Sequence, residues 1–221
     1  MSGFNDKEPT EEEINQYMQS LSAASTRMDG AAGPLTSDGD GSGYVASGTK
    51  YSGPLAVFKY EGGHKVHPET GNKMMHTSEG EVARVHFAGG ATYVGQMKED
   101  MLHGHGTFTD PDGNTYDGDW YEDQRQGRAK FTCRAGVYEG EYFQNKRHGD
   151  GKEVDSSGNT FKGQFENGDP KKGVLTYANG DIYQGELSKD WSRHGKGTFL
   201  DADTGTKLAG VWDDDEFIGK S

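Results

Sequence analysis

Eight histidines, one cysteine and several paired carboxylates are the residues of this 221-residue chain that could do chemistry. His103 and His105 form a His-x-His pair, and His64 and His67 a His-x-x-His pair. Zinc takes three or four converging ligands, and two histidines do not supply them. His103, His148 and His194 each stand directly before a glycine at the same point of a recurring pattern, so they read as turn residues of a structural unit. Cys133 lacks the base and orienting group that a nucleophile needs and reads as an inert strand residue. The Gly-x-Gly pairs at 104–106, 149–151 and 195–197 open no helix and precede no phosphate-binding Lys-Ser pair. Asp117 with Asp119, and Asp213 to Asp215, read as solvated acids, because acid–base work needs a pocket that raises one carboxyl. The expectation is a chain with no catalytic residue, no metal and no cofactor.

These residues are carried by a repeat. Six openings of the form aromatic-x-Gly-x-hydrophobic begin at Tyr93, Tyr116, Tyr138, Phe161, Tyr183 and Leu208. Each is followed by Gly-x-Gly-x-aromatic or a degenerate form of it. Their starts step by 23, 22, 23, 22 and 25 residues, a period that marks a repeat architecture. Period-two alternation places Tyr116, Gly118 and Trp120 on one face of a strand and Asp117 and Asp119 on the other. Turns such as Asp112-Gly-Asn-Thr and Ala178-Asn-Gly-Asp separate the units.

The predicted fold is all-β: an elongated single-layer antiparallel sheet of consecutive hairpins with a short N-terminal helix. Glycine costs entropy in a strand, so Gly95, Gly118, Gly140, Gly163, Gly185 and Gly210 are expected to be structural, each leaving room for a ring. Twelve strands would span roughly 55 Å, and twist would curve them into a trough. The rings of Tyr93, Tyr116, Trp120, Tyr138, Tyr142, Phe161, Phe165, Tyr183 and Trp212 are then candidates for a protein-binding groove.

Ahead of the array, residues 1–49 read as largely disordered. A short helix is expected over 10–21, where Thr10 and Glu13 have capping-box spacing and Ile14, Tyr17, Met18 and Leu21 make one apolar stripe. Too short to be stable alone, it is expected to dock on the array or on a partner. Residues 22–49 read as a flexible linker. Residues 50–92 read as degenerate repeats or a cap, with Tyr51-Ser-Gly-Pro-Leu55 resembling an opening, and 93–221 as the array.

The net charge is −13. Residues 91–221 carry 16 basic and 24 acidic side chains, so the array itself is acidic. Nucleic acid is excluded as a default partner, and membrane lipid is disfavoured. The nearest basic stripe is Lys146, Arg147, Lys152, Lys171 and Lys172. One cysteine gives no disulfide framework. The opening residues lack the order of a signal peptide, which sets the expectation of a cytoplasmic or cytoskeletal protein. The acids Asp213 to Glu216 are expected to discourage pairing at the last strand, while Phe217 and Ile218 are candidates to anchor a homodimer.

The pattern resembles the MORN repeat (membrane occupation and recognition nexus). The likeness is carried by Tyr93, Gly95, Gly104, Gly106 and Phe108, by Tyr116, Gly118, Trp120, Gly127 and Phe131, and by the matching residues of the later units through Gly219. Glu153 departs from it by taking an aromatic position, Ala129 by replacing a glycine, and Lys171 by replacing another. The resemblance implies a non-catalytic scaffold that binds proteins of a larger assembly, such as a ciliary or flagellar axoneme or a cytoskeletal collar. The alternatives it implies are a peripheral phosphoinositide adaptor and a non-catalytic regulatory subunit of an enzyme.

Overall fold

The protein is described here by a computed structural model that covers residues 57–66, 68–69, 72–87 and 90–220. The expected helix 10–21, the linker through residue 49 and the opening at Tyr51–Leu55 lie outside the described residues. So do His67, Thr70 and Gly71.

Alternating ring and glycine positions produce strands throughout, and no helix occurs among the described residues. Strand β1 (Val57–Glu61) pairs with β4 (Ala83–Phe87). Between them β2 (His64–Val66) and β3 (Lys73–Met75) form a separate two-stranded hairpin. The sheet then continues as a plain meander through β5 (Thr92–Lys98), β6 (Met101–Thr109), β7 (Thr115–Tyr121) and β8 (Gln124–Cys133). It proceeds through β9 (Gly136–Phe143), β10 (Lys146–Asp155), β11 (Thr160–Glu166) and β12 (Asp169–Thr176). It ends with β13 (Ile182–Leu187), β14 (Arg193–Leu200), β15 (Lys207–Asp213) and β16 (Glu216–Gly219). All fourteen strands of this sheet run antiparallel in sequence order, apart from the inserted hairpin.

Register is fixed by a row of small residues. Gly95, Gly106, Gly118, Ala129, Gly140, Gly151, Gly163, Gly173, Gly185, Gly197 and Gly210 lie directly opposite one another from β5 to β15. The reason is steric. A Cβ on Gly106 would enter the Tyr93 ring, and one on Gly151 would enter the Tyr138 ring. The rings of Tyr93, Tyr138, Phe161 and Tyr183 each lie over the glycines of their own strand and the next, as the alternation predicts, while Gly118 faces Ala129 instead.

One kind of tight turn recurs along the sheet. At Glu99-Asp100, Glu122-Asp123, Gln144-Asn145 and Asp214-Asp215 both residues have positive φ. This is the mirror-image two-residue turn whose twist suits a hairpin. The second residue of each turn also binds the preceding hairpin. Asp123 Oδ1 accepts the Leu102 N–H at 2.7 Å, and the Asp123 N–H donates to the Leu102 carbonyl at 3.1 Å. The same exchange joins Asp100 to Met75, Asn145 to Arg125, and Asp215 to Arg193. Burial raises the Asp123 carboxyl above its ordinary value.

The exception is consistent with the rule. Pro170 occupies the same position and has no N–H to offer; the turn after it is instead the longer loop Ser188–Ser192, which carries Trp191. We expect Asp123→Ala to cost about 1–3 kcal/mol, since it strands the Leu102 N–H. The exposed neighbour Glu122→Ala should change stability by less than about 0.5 kcal/mol. Urea titrations followed by circular dichroism check this, and equal effects at the two positions would refute the latch.

Candidate functional site

The inner face of the sheet, the side that carries the rings, is the site the sequence points to. Tyr93, Tyr116, Trp120, Tyr138, Tyr142, Phe161, Phe165, Tyr183 and Trp212 all lie on it, and each is 0–3% exposed. They are the core of the array and offer no open wall to a partner, contrary to the expected groove. The cause is mutual cover. Tyr116 meets Trp120 and Tyr142 edge-on with centroids at 4.9 and 5.1 Å, and Tyr138 meets Tyr142 and Phe165 at 5.3 and 5.1 Å. Each such pair contributes about 0.5–1.5 kcal/mol beyond area burial, which offsets the roughly 0.5–1 kcal/mol that a strand glycine costs.

The polar ends of the rings are also satisfied. The hydroxyls of Tyr93, Tyr116, Tyr138 and Tyr183 donate to the carbonyls of Gln96, Asp119, Glu141 and Glu186, three residues on, at 2.8–3.0 Å. Burial pushes all four hydroxyls far above the ordinary tyrosine value and raises Tyr142 to about 12. They are held neutral at any ordinary pH. Trp120 Nε1 donates to the Gly106 carbonyl at 3.0 Å, and Trp212 Nε1 to the Gly197 carbonyl at 3.1 Å.

Arginines complete the cover, and the sequence reading missed them. Arg125, 1% exposed, stacks its guanidinium over Tyr116 and Tyr142 at 5.6 and 5.1 Å. Arg147 covers Tyr138, Phe165 and Trp191, and Arg193 covers Phe199 and Trp212 at 4.9 and 4.5 Å. All three occupy the latch position, and each also binds the next turn through Asn145 O, Gly168 O or Asp215 O at 2.7–3.1 Å. Their spacing of 22 and 46 residues, one and two periods, was the available signal. Trp191 was missed as well; it reaches from its loop to Phe161 at 5.3 Å.

Glu153, at an aromatic position, points inward and forms an ion pair with Arg147, at 13% and 6% side-chain exposure. Its burial raises the carboxyl above the ordinary value despite the attraction of Arg147. The expected basic stripe is therefore broken. Arg147 is inside, Lys171 pairs with Glu166 at 3.3 Å, and Lys152 and Lys172 stand opposite Glu139 and Glu186. The outer face alternates in sign elsewhere too, with Lys130 bound to Glu139 at 3.0 Å and His105 held between Asp117 and Asp119 at 3.3 and 3.2 Å.

Cover thins towards the last hairpins. Phe199, Leu208 and Phe217 are half-buried around Trp212, and Tyr177 is half-buried beside the turn after β12. Phe217 lies 5.2 Å from the Trp212 ring, and Phe199 lies 6.1 Å from it. The acids expected to protect the final strand have other duties. Asp213 pairs with His194 at 3.2 Å, Asp214 accepts from Ser192 Oγ at 3.1 Å, and Asp215 pairs with Arg193 at 3.0 Å. No three His, Cys, Asp or Glu side chains converge on a metal position among the described residues.

No curated protein matches the chain. The MORN repeat family model matches it at residues 93–115, 116–137, 138–160, 172–182 and 183–206. The gap at 161–171 contains Lys171 and Pro170, where the glycine pattern and the latch both lapse. MORN repeats form protein-interaction or membrane-binding modules of a scaffold-like kind. With five matches in register on a sheet whose glycine row and ring ladder account for the motif, the chain belongs to the MORN-repeat family.

Proposed function

We propose that the chain is a non-catalytic scaffold that binds partner proteins at the last hairpins of its inner face, within a cytoplasmic or cytoskeletal assembly. A ciliary or flagellar axoneme is the specific setting we favour. The observation that carries this reading is the uneven cover of the inner face. Over the middle hairpins the rings, arginines and Pro170 close it except at half-buried Phe131. Over the last two hairpins Phe199, Leu208 and Phe217 leave apolar surface half-open beside Trp212. Partly exposed aromatic and aliphatic groups on a rigid support are the usual anchors of protein interfaces. The array supplies that support through its interlocked register. The alternating charges of the outer face do not favour a membrane surface.

A photo-crosslinking residue at position 208 tests the proposal in cells, with the same residue at the exposed outer-face position 121 as control. We expect axonemal or cytoskeletal proteins to be trapped from position 208 and not from 121. Trapping of lipid alone, or no difference between the positions, would overturn the reading.

A further inference from the structure

One rung of the ring ladder is built differently from the others. The first ring of a unit meets edge-on the second ring of the unit that follows. Tyr93 meets Trp120 at 5.8 Å, Tyr116 meets Tyr142 at 5.1 Å, Tyr138 meets Phe165 at 5.1 Å and Tyr183 meets Trp212 at 5.6 Å. For Phe161 the corresponding strand position in the next unit is Leu187, which has no ring. The ring comes instead from Trp191 in the loop Ser188–Ser192, at 5.3 Å and 89°. The pairing of β13 with β14 stops at Leu187 and Arg193, so Trp191 lies outside the strand ladder. Its φ of 65° is a left-handed conformation that a bulky side chain rarely holds without compensating contacts. Ser188 Oγ shapes the loop by accepting the N–H groups of Asp190 and Ser192, both at 3.2 Å. The indole is 3% exposed, with Phe165 at 6.1 Å and the Arg147 guanidinium at 5.9 Å as its further neighbours.

We propose that the seat of Trp191 is a binding site for a tryptophan side chain of a partner protein, filled in the free chain by its own strap. The occupant is identified by what already fits. Two phenyl rings take the edge of an indole, and a guanidinium over a ring face favours indole above other aromatics. A leucine would satisfy neither contact. Because the ring is carried by a loop, it can leave while β13 and β14 stay paired, and release relaxes the left-handed residue. The partner's indole then closes the same rung. Self-occupancy lowers the apparent affinity by the fraction of chains whose strap is open. The site lies on β10 and β11 and is independent of the half-open patch on β14–β16.

The probe is the acetylated and amidated peptide Ser-Lys-Asp-Trp-Ser, the sequence of the strap itself, with Ser-Lys-Asp-Leu-Ser as control. The full chain is labelled with fluorotryptophan at its three tryptophans, Trp120, Trp191 and Trp212, and read by fluorine NMR. We expect the tryptophan peptide to move the Trp191 signal towards its solvent-exposed position, saturably, and to leave Trp120 and Trp212 in place. By calorimetry, Trp191→Ala should bind the peptide at least tenfold more tightly than the parent. Leu187→Trp/Trp191→Ala, which supplies the ring from the strand as the sister units do, should lose that gain. Circular dichroism first establishes that each variant keeps its sheet.

An unmoved Trp191 signal under a large excess of peptide would overturn the proposal. So would equal shifts at all three tryptophans, equal binding of the leucine peptide, or undiminished binding by Leu187→Trp/Trp191→Ala. The fluorine measurement on the parent decides the matter whatever the stability of the variants. Crosslinking at position 208 plays no part in it, so this inference and the scaffold reading stand or fall separately.

Discussion

Trp120→Ala is expected to destabilise the protein by about 3–5 kcal/mol, while Tyr121→Ala, one residue along, should cost less than about 0.5 kcal/mol. The contrast follows from the alternation of β7. Trp120 is 2% exposed, meets Tyr93, Phe108 and Tyr116 at 4.9–6.1 Å, and donates to the Gly106 carbonyl. Truncation removes a large buried ring from the middle of the ladder and strips edge-to-face partners from two neighbouring hairpins. No backbone shift can close the gap, because the glycine row already brings the strands to their limit. Tyr121 is 54% exposed on the other face, with only the His103 ring beside it at 5.2 Å. Urea unfolding followed by far-ultraviolet circular dichroism gives both values. Comparable losses at the two positions, or a loss under about 1 kcal/mol for Trp120→Ala, would show that the inner ladder is not the core.

The second large effect concerns Arg147 and Glu153. Removing the carboxylate alone, in Glu153→Ala, leaves a guanidinium buried without its counter-charge and should cost about 3–5 kcal/mol. Arg147→Leu alone should cost a similar amount. The double variant Arg147→Leu/Glu153→Phe installs the residues that other hairpins use, Leu102 and Phe108 in β6. It should be about as stable as the parent or more so, because two desolvated charges are replaced by well-packed apolar groups. Additive losses in the double variant would refute this account of the pair.

The pH dependence carries a definite sign. Burial holds the Glu153 carboxyl above its ordinary value, against the pull of Arg147. The folded chain therefore binds this proton before the unfolded chain does as pH falls. The contribution of that carboxyl is fully present below the unfolded carboxylate value of about 4.3 and is lost as pH rises through its raised folded value. The stability of the parent relative to Glu153→Gln should accordingly decline across that window. A difference that grows with pH would mean that Arg147 dominates the site.

Much of the architecture was legible because the residues that set it obey a strict period. Gly95, Gly118, Gly140, Gly163, Gly185 and Gly210 recur with their rings, and a period-two strand can place a ring and a glycine on one face in only one way. The role of the rings was harder to read. Alternation tells which face Tyr138 or Phe165 occupies, but it does not tell what lies over them. The cover comes from Arg125, Arg147 and Arg193, and arginine in sequence reads as solvated charge. Only their spacing, in step with the repeat, marked them as inward. Trp191 was invisible for another reason: it belongs to a loop longer than those of its sister units, outside the register. The tight turns were hidden too. Glu122-Asp123 and Gln144-Asn145 adopt positive φ without glycine, held by the latch to the previous hairpin, which is a contact at a distance of about 20 residues.

That latch also gives the protein a modular length scale. Apart from the Ser188–Ser192 loop, whose Trp191 reaches back two hairpins to Arg147, the hairpins close each on the one before it through their own turns and rings. Away from that long reach, gain or loss of one unit of 22 or 23 residues would leave the other joints as they were. Each unit adds two strand spacings, about 10 Å. A gene encoding such a sheet can therefore lengthen or shorten in fixed increments, and its product can act as a graduated ruler between whatever is attached at its two ends.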